Sequence, residues 1–217
     1  MQAEKQKNWQ EQSFSWFAEN KSLVLLVTNV LYIVLIGISL ISTYSIYNDQ
    51  EIYNFFAINR AWFGRAALSV LLLVLTPGIL GRFGIEIRVS RIITLYRRRL
   101  GILVFLLAFT HFFLVGLPKL VGIEPITVLL FQIFGFAALT ILFFMFSTSN
   151  SFSLKRLGKR WKWLHRLIYI ALLFILLHIA FQRVSLWSIS ATIFLVLEIT
   201  SFGYAYIKGG AFFNKPN

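Results

Sequence analysis

The chain contains no cysteine in its 217 residues. Disulfides, iron–sulfur clusters and thiolate metal sites are therefore excluded, and any metal or redox cofactor must be held by nitrogen or oxygen ligands or by non-covalent contacts. Charge is also scarce, at 13% of residues against 58% hydrophobic and 17% aromatic. A soluble domain needs more polar surface than that to cover itself. With a mean hydropathy of +0.75, the natural solvent is a lipid bilayer. No Gly-rich dinucleotide or phosphate loop is found, nor a repeat of 20–50 residues. A cleavable leader is not expected, because the first twenty residues are polar, with Glu4, Lys5, Lys7 and Glu11, and lack an apolar core.

Long apolar runs are what the sequence does have. A crossing of the hydrocarbon core takes about 20 apolar residues, and six segments qualify: Leu23–Tyr44, Ala61–Leu80, Leu100–Leu120, Ile126–Phe146, Trp161–Phe181 and Leu186–Tyr206. The predicted fold is an all-α membrane protein, a six-transmembrane-helix bundle. A polar segment (1–21) precedes the membrane domain (22–207), and a short tail (208–217) follows it. No separate soluble domain is expected at either end, so a partner must supply at least one end of any electron or group transfer.

Acidic residues number only eight against 21 Lys and Arg, for a net charge of +13. The placement of the excess argues for topology rather than nucleic acid. One basic stretch holds Arg82, Arg88, Arg91, Arg97, Arg98 and Arg99; the other holds Lys155, Arg156, Lys159, Arg160, Lys162 and Arg166. Both lie between apolar runs, joining spans two to three and four to five, where the positive-inside bias puts cytoplasmic loops and anionic lipid headgroups are their partners. The connections around Asp49, Lys119 and Arg183 are poorer in positive charge. An even span count then places both termini in the cytoplasm.

Three histidines are present, all in or at the edge of spans. His111 lies in span three (LLAFTHFFLV) and His178 in span five (LLFILLHIAF). His165 lies near the start of span five (RWKWLHRLIY). An ionisable side chain is costly in hydrocarbon and is by default a functional hypothesis; the bland alternative is an interhelical hydrogen bond. Counted from the basic loops, His111 and His178 differ in depth by about 6 Å, within the tolerance of tilt. One iron could thus be gripped by an imidazole from each helix, since neutral imidazole is a normal axial haem ligand. His165 stands about 20 Å before His178 along a helix and about 140° away in azimuth. Both can address one neighbour only if the helix bends. One haem b is expected on His111 and His178, and a second, on His165, is left open.

Other polar residues carry weaker signals. Arg65 and Arg183 on the outer side, and Arg97, Arg98, Arg160 and Arg166 on the inner side, are candidate partners for haem propionates, although lipid pairing accounts for most such arginines. Arg65 is set apart by lying a turn inside its span. Glu198, in the middle of span six, either joins a proton or quinone site or pairs with a polar neighbour.

The same segments carry a family resemblance. STSNSFSLKRLGKRWKWLHRLIYIALLFILLH (Ser147–His178), RRRLGILVFLLAFTHFFL (Arg97–Leu114) and TPGILGRFG (Thr76–Gly84) resemble the ferric reductase-like transmembrane domain. They are most similar to its MsrQ (YedZ) branch of haem-binding membrane subunits. The resemblance covers roughly residues 61–183 and leaves the first and last spans matched only in hydrophobicity. It implies an oxidoreductase electron-transfer subunit with no substrate-reducing catalytic site of its own. Electrons would come from a quinol or a cytoplasmic flavin reductase and pass to a periplasmic molybdenum-containing methionine sulfoxide reductase. Flavin mononucleotide (FMN) is implied as a further candidate cofactor. His111, His165 and His178 match the family's three histidines. A second histidine that related oxidases carry on span three aligns near Arg97, so their two-haem arrangement is not expected here. The alternatives are a ferric or other metal reductase component and a non-redox transporter or scaffold.

Overall fold

A computed structural model describes residues 15–17, 19–125 and 128–208 of the chain. The polar residues 1–14, the first two residues of the predicted fourth span (126 and 127) and the tail from 209 lie outside the described residues. Among the described residues, from Lys21 on, the helices in order are α1 (Lys21–Asn48), α2 (Gln50–Arg82), α3 (Arg88–Leu120), α4 (Leu130–Ser147), α5 (Ser151–Leu157), α6 (Lys159–Arg166), α7 (Ile168–Ala180) and α8 (Leu186–Ile207). Among the described residues six crossings are long and apolar enough to span a bilayer, α6 and α7 together making the fifth. Among the described residues there is no strand. Helices are the expected answer in lipid, where each backbone polar group must be satisfied within its own segment.

α2 and α3 overrun the apolar runs that predict them, whereas α4 starts at Leu130, later than the predicted Ile126. α2 begins at Gln50 rather than Ala61, and α3 at Arg88 rather than Leu100. At 33 residues each they are about 50 Å long, more than the roughly 30 Å hydrocarbon core, so each carries polar turns beyond the apolar slab. The turn into α2 is set by Asp49, whose carboxylate accepts from the N–H groups of Glu51 and Ile52, while its own N–H donates to Ser45 O.

α2 packs along α3, and α4 along α7; α1 lies against α2 and α3, and α8 closes against α2 and α7. Leu71, Leu75, Leu114 and Leu172 are sealed in the core. Long apolar side chains such as Ile33, Leu40 and Ile58 instead face outward, as a lipid-solvated surface requires. α1 presents small residues inward: Ser39, Ser42 and Ser45 are buried, and each hydroxyl donates to a carbonyl of its own helix. Helix backbones approach closely over such residues without unpaired polar groups.

The fifth crossing is not one straight helix. Leu167 interrupts it as a turn, its N–H donating to Leu164 O rather than four residues back, and α7 starts anew at Ile168. This break lies between His165 and His178, so the azimuth of an ideal helix does not relate them.

Candidate functional site

His111 and His178 are brought together. Their ring centres lie 6.4 Å apart with planes at 75°. His111 comes from the second half of α3, and His178 from the last turn of α7. Each ring is tied to a helix other than its own. The Nδ1–H of His111 donates to Arg60 O on α2 at 2.9 Å. The Nδ1–H of His178 donates to Phe131 O on α4 at 2.8 Å. A carbonyl can only accept, so the contact fixes the proton on Nδ1 in both rings and leaves Nε2 with its lone pair. That tautomer and that outer-shell partner are what a metal-binding imidazole requires.

The spacing also fits. Imidazoles bound to one metal from opposite sides, through bonds of about 2 Å each, have ring centres about 6.3 Å apart. The two imidazoles could therefore hold a haem iron between them. The Gln182 amide lies 3.4 Å from His178 Nε2, a contact that iron at Nε2 would replace. Phe131 flanks the pair, its ring centre 5.7 Å from that of His178.

Phe131 is the second residue of α4, and His178 lies two residues before the end of α7. The pair is thus near the end of the bundle opposite the two basic loops. Arg65, half-buried on α2, holds its guanidinium over Trp62 at 4.9 Å. It neighbours Gly64, the residue against which the His111 ring lies. Arg183 is exposed just past α7. Arg97, also exposed, is 14 residues before His111 on α3, about 21 Å away along the axis. It lies instead in the half of the bundle that holds His165 and Glu198.

His165 sits beyond the break, in α6. Its ring stacks on Trp161 with centres 3.8 Å apart, and its Nδ1–H donates to Trp161 O at 3.0 Å. Its Nε2 is buried with no hydrogen-bond partner among the described residues. Deeper in the same half, Glu198 is paired with Arg82, which also donates from Nε to Ser201 Oγ at 2.8 Å and from Nη1 to the Tyr169 hydroxyl at 3.4 Å. The guanidinium lies over Phe202 at 4.0 Å. Glu198 and Ser201 are buried. Sequence reasoning counted Arg82 as a loop cation, and nothing in the local pattern pointed to its partner 116 residues away.

Residues 63–176 match the family described as the ferric reductase like transmembrane component. The chain belongs to that family. The matched stretch runs from α2 into α7 and contains His111 and His165, while His178 follows it by two residues. Among curated relatives, the chain is similar to the protein-methionine-sulfoxide reductase heme-binding subunit MsrQ of Agrobacterium fabrum. The two are 32% identical over 127 residues, 56% of this chain and 59% of the relative. The proteins of the same name from Brucella ovis and Brucella canis are 40% identical over 82 residues, 36% of this chain and 37% of theirs. The matches thus span about two-fifths to three-fifths of those relatives' lengths. No solved structure matches the chain.

Proposed function

We propose that this chain is a haem b-carrying membrane subunit that passes electrons across the cytoplasmic membrane of a bacterium. The donor is a quinol or a cytoplasmic flavin enzyme, and the acceptor an extracytoplasmic reductase. The relatives' printed name, a heme-binding subunit of a methionine sulfoxide reductase, makes such a reductase the acceptor of choice. The observation that carries the reading is the His111–His178 pair, with ring centres 6.4 Å apart and each Nδ1 tied to a carbonyl. His111 and His178 would hold the iron through their Nε2 atoms. Arg65 and Arg183, at the same end of the bundle, would meet the propionates. His165, with Arg97 near it, belongs to the donor half, as a second haem ligand or as a contact for FMN or quinol.

When bound, the haem supplies a one-electron iron couple. The protein's part is to hold two neutral imidazoles in one tautomer, to surround them with apolar helices and to set the site near one face. Transfer is outer-sphere, so no nucleophile or acid–base pair is required. Both termini are placed on the cytoplasmic side with the basic loops, which leaves the histidine pair toward the acceptor.

Purified protein, expressed with ample haem, tests this by visible spectroscopy. The expected result is a reduced-minus-oxidised spectrum of six-coordinate haem b that His111→Ala and His178→Ala each abolish. Full haem retention by His178→Ala would refute the pairing, and absence of any haem from the unsubstituted protein would favour a non-redox membrane role.

A further inference from the structure

Two glycines lie against the two histidines. A Cβ built on Gly135 would fall 2.7 Å from His178 Nδ1 and 3.0 Å from Cε1, closer than real Cβ atoms approach. A Cβ on Gly64 would fall 3.2–3.3 Å from three atoms of the His111 ring. The carbonyls that receive the Nδ1 protons belong to Phe131 and Arg60, each four residues before its glycine. In an α-helix the carbonyl of residue i accepts from the N–H of residue i+4, and its second lone pair remains free. Each imidazole therefore uses the same device. It donates to the free lone pair of a helical carbonyl and rests on the bare Cα one turn later. α2 offers this seat to α3, and α4 offers it to α7. Any side chain at the glycine would hold the ring off the carbonyl.

We infer that Gly64 and Gly135 are positioning residues, which together with Arg60 O and Phe131 O form two matched seats that fix the tautomer and orientation of His111 and His178. The inference rests on the haem reading above and goes beyond it. It assigns ligand geometry to two residues that never touch iron. A strong Nδ1–H···O bond raises the basicity of a ligating imidazole. Loosening a seat should favour the ferrous state and raise the midpoint potential.

The test compares Gly64→Ala, Gly135→Ala and Gly116→Ala in the full chain. Gly116 also lies in α3, but a Cβ there meets nothing within 4 Å, so it controls for the helix propensity of alanine. Haem per protein, the ferric low-spin EPR signal, the midpoint potential, helix content and monodispersity are read for each variant. Gly116→Ala should match the unsubstituted protein. Gly64→Ala should keep haem with a displaced EPR signal and a raised potential, and Gly135→Ala should lose the six-coordinate signal while helix content holds. EPR and potential unchanged in both Gly64→Ala and Gly135→Ala would overturn the seats and leave the haem reading intact. If Gly135→Ala aggregates, Gly64→Ala decides, and an unchanged Gly64→Ala is then sufficient to reject them. An unsubstituted protein that takes no haem would remove the reading on which the seats depend, and the seats with it.

Discussion

At the scale of single residues, the three histidines divide by what their ring nitrogens touch. All three donate Nδ1–H to a carbonyl, but His111 and His178 use carbonyls on other helices, whereas His165 uses that of Trp161, four residues back on its own helix. The first two are fixed relative to each other, and the third is fixed to a tryptophan. Trp161 is itself held, its indole Nε1–H donating to Thr148 O at 2.9 Å, so the stacked pair is anchored to the loop after α4. A buried nitrogen without a partner costs about 1–3 kcal/mol, and His165 Nε2 is such an atom. Replacing it while keeping an aromatic ring for the stack should therefore help the cofactor-free protein. His165→Phe is expected to raise the thermal stability of the apo form by about 1 kcal/mol and to leave the main His111–His178 haem signal at full amplitude. A fall in apo stability would mean that loss of the Nδ1–H bond to Trp161 O outweighs relief of the unpaired Nε2. Loss of the main signal would mean that the separation of the two sites is wrong.

At the scale of helices, α2, α7 and α8 are joined by one buried cluster around Arg82. The Arg82–Glu198 pair is nearly sealed from solvent, with the Glu198 side chain 4% exposed. Breaking a buried pair from one side strands a charge and typically costs about 3–5 kcal/mol, whereas replacing both partners with apolar residues of similar size is often neutral. Arg82→Met and Glu198→Leu singly should each lower thermal stability in detergent by about that much, and the double variant should recover most of the loss. Equal losses that simply add would show the two side chains acting independently. The cluster also marks where sequence reading gives out. Six crossings were legible because a bilayer enforces one long apolar run per helix, and His111 and His178 because ionisable residues there are rare. The extra turns of α2 from Gln50 to Arg60 were not, since polar residues beyond the hydrocarbon look the same whether coil or helix. The seat glycines were hidden for a related reason. Gly64 and Gly135 differ from Gly101 and Gly116 only in what a neighbouring helix brings to them. Likewise the break at Leu167 follows no proline or glycine at that position, and a hydropathy pattern carries no trace of it.

At the scale of the whole molecule, the working parts are distributed along the membrane normal. The histidine pair lies toward the ends of α4 and α7 that adjoin the charge-poor connections, while His165, Arg97 and the Arg82–Glu198 cluster lie in the half that adjoins the basic loops. The electron carrier proposed above would use both halves, meeting its donor at one and its acceptor at the other. The direction of transfer then rests on which face is cytoplasmic. The absence of cysteine makes that measurable, since any cysteine introduced is the only thiol in the chain. Asn150→Cys, exposed just before α5 at the start of the second basic stretch, serves for one face, and the exposed Ile123→Cys serves for the other. Positive-inside placement predicts that a membrane-impermeant maleimide added to intact spheroplasts labels Ile123→Cys and spares Asn150→Cys until the membrane is opened. The reverse pattern would put the histidine pair on the cytoplasmic side, and with it would go the assignment of an extracytoplasmic acceptor. The six-helix fold and the pairing of His111 with His178 would be untouched, because neither depends on which way the bundle is inserted.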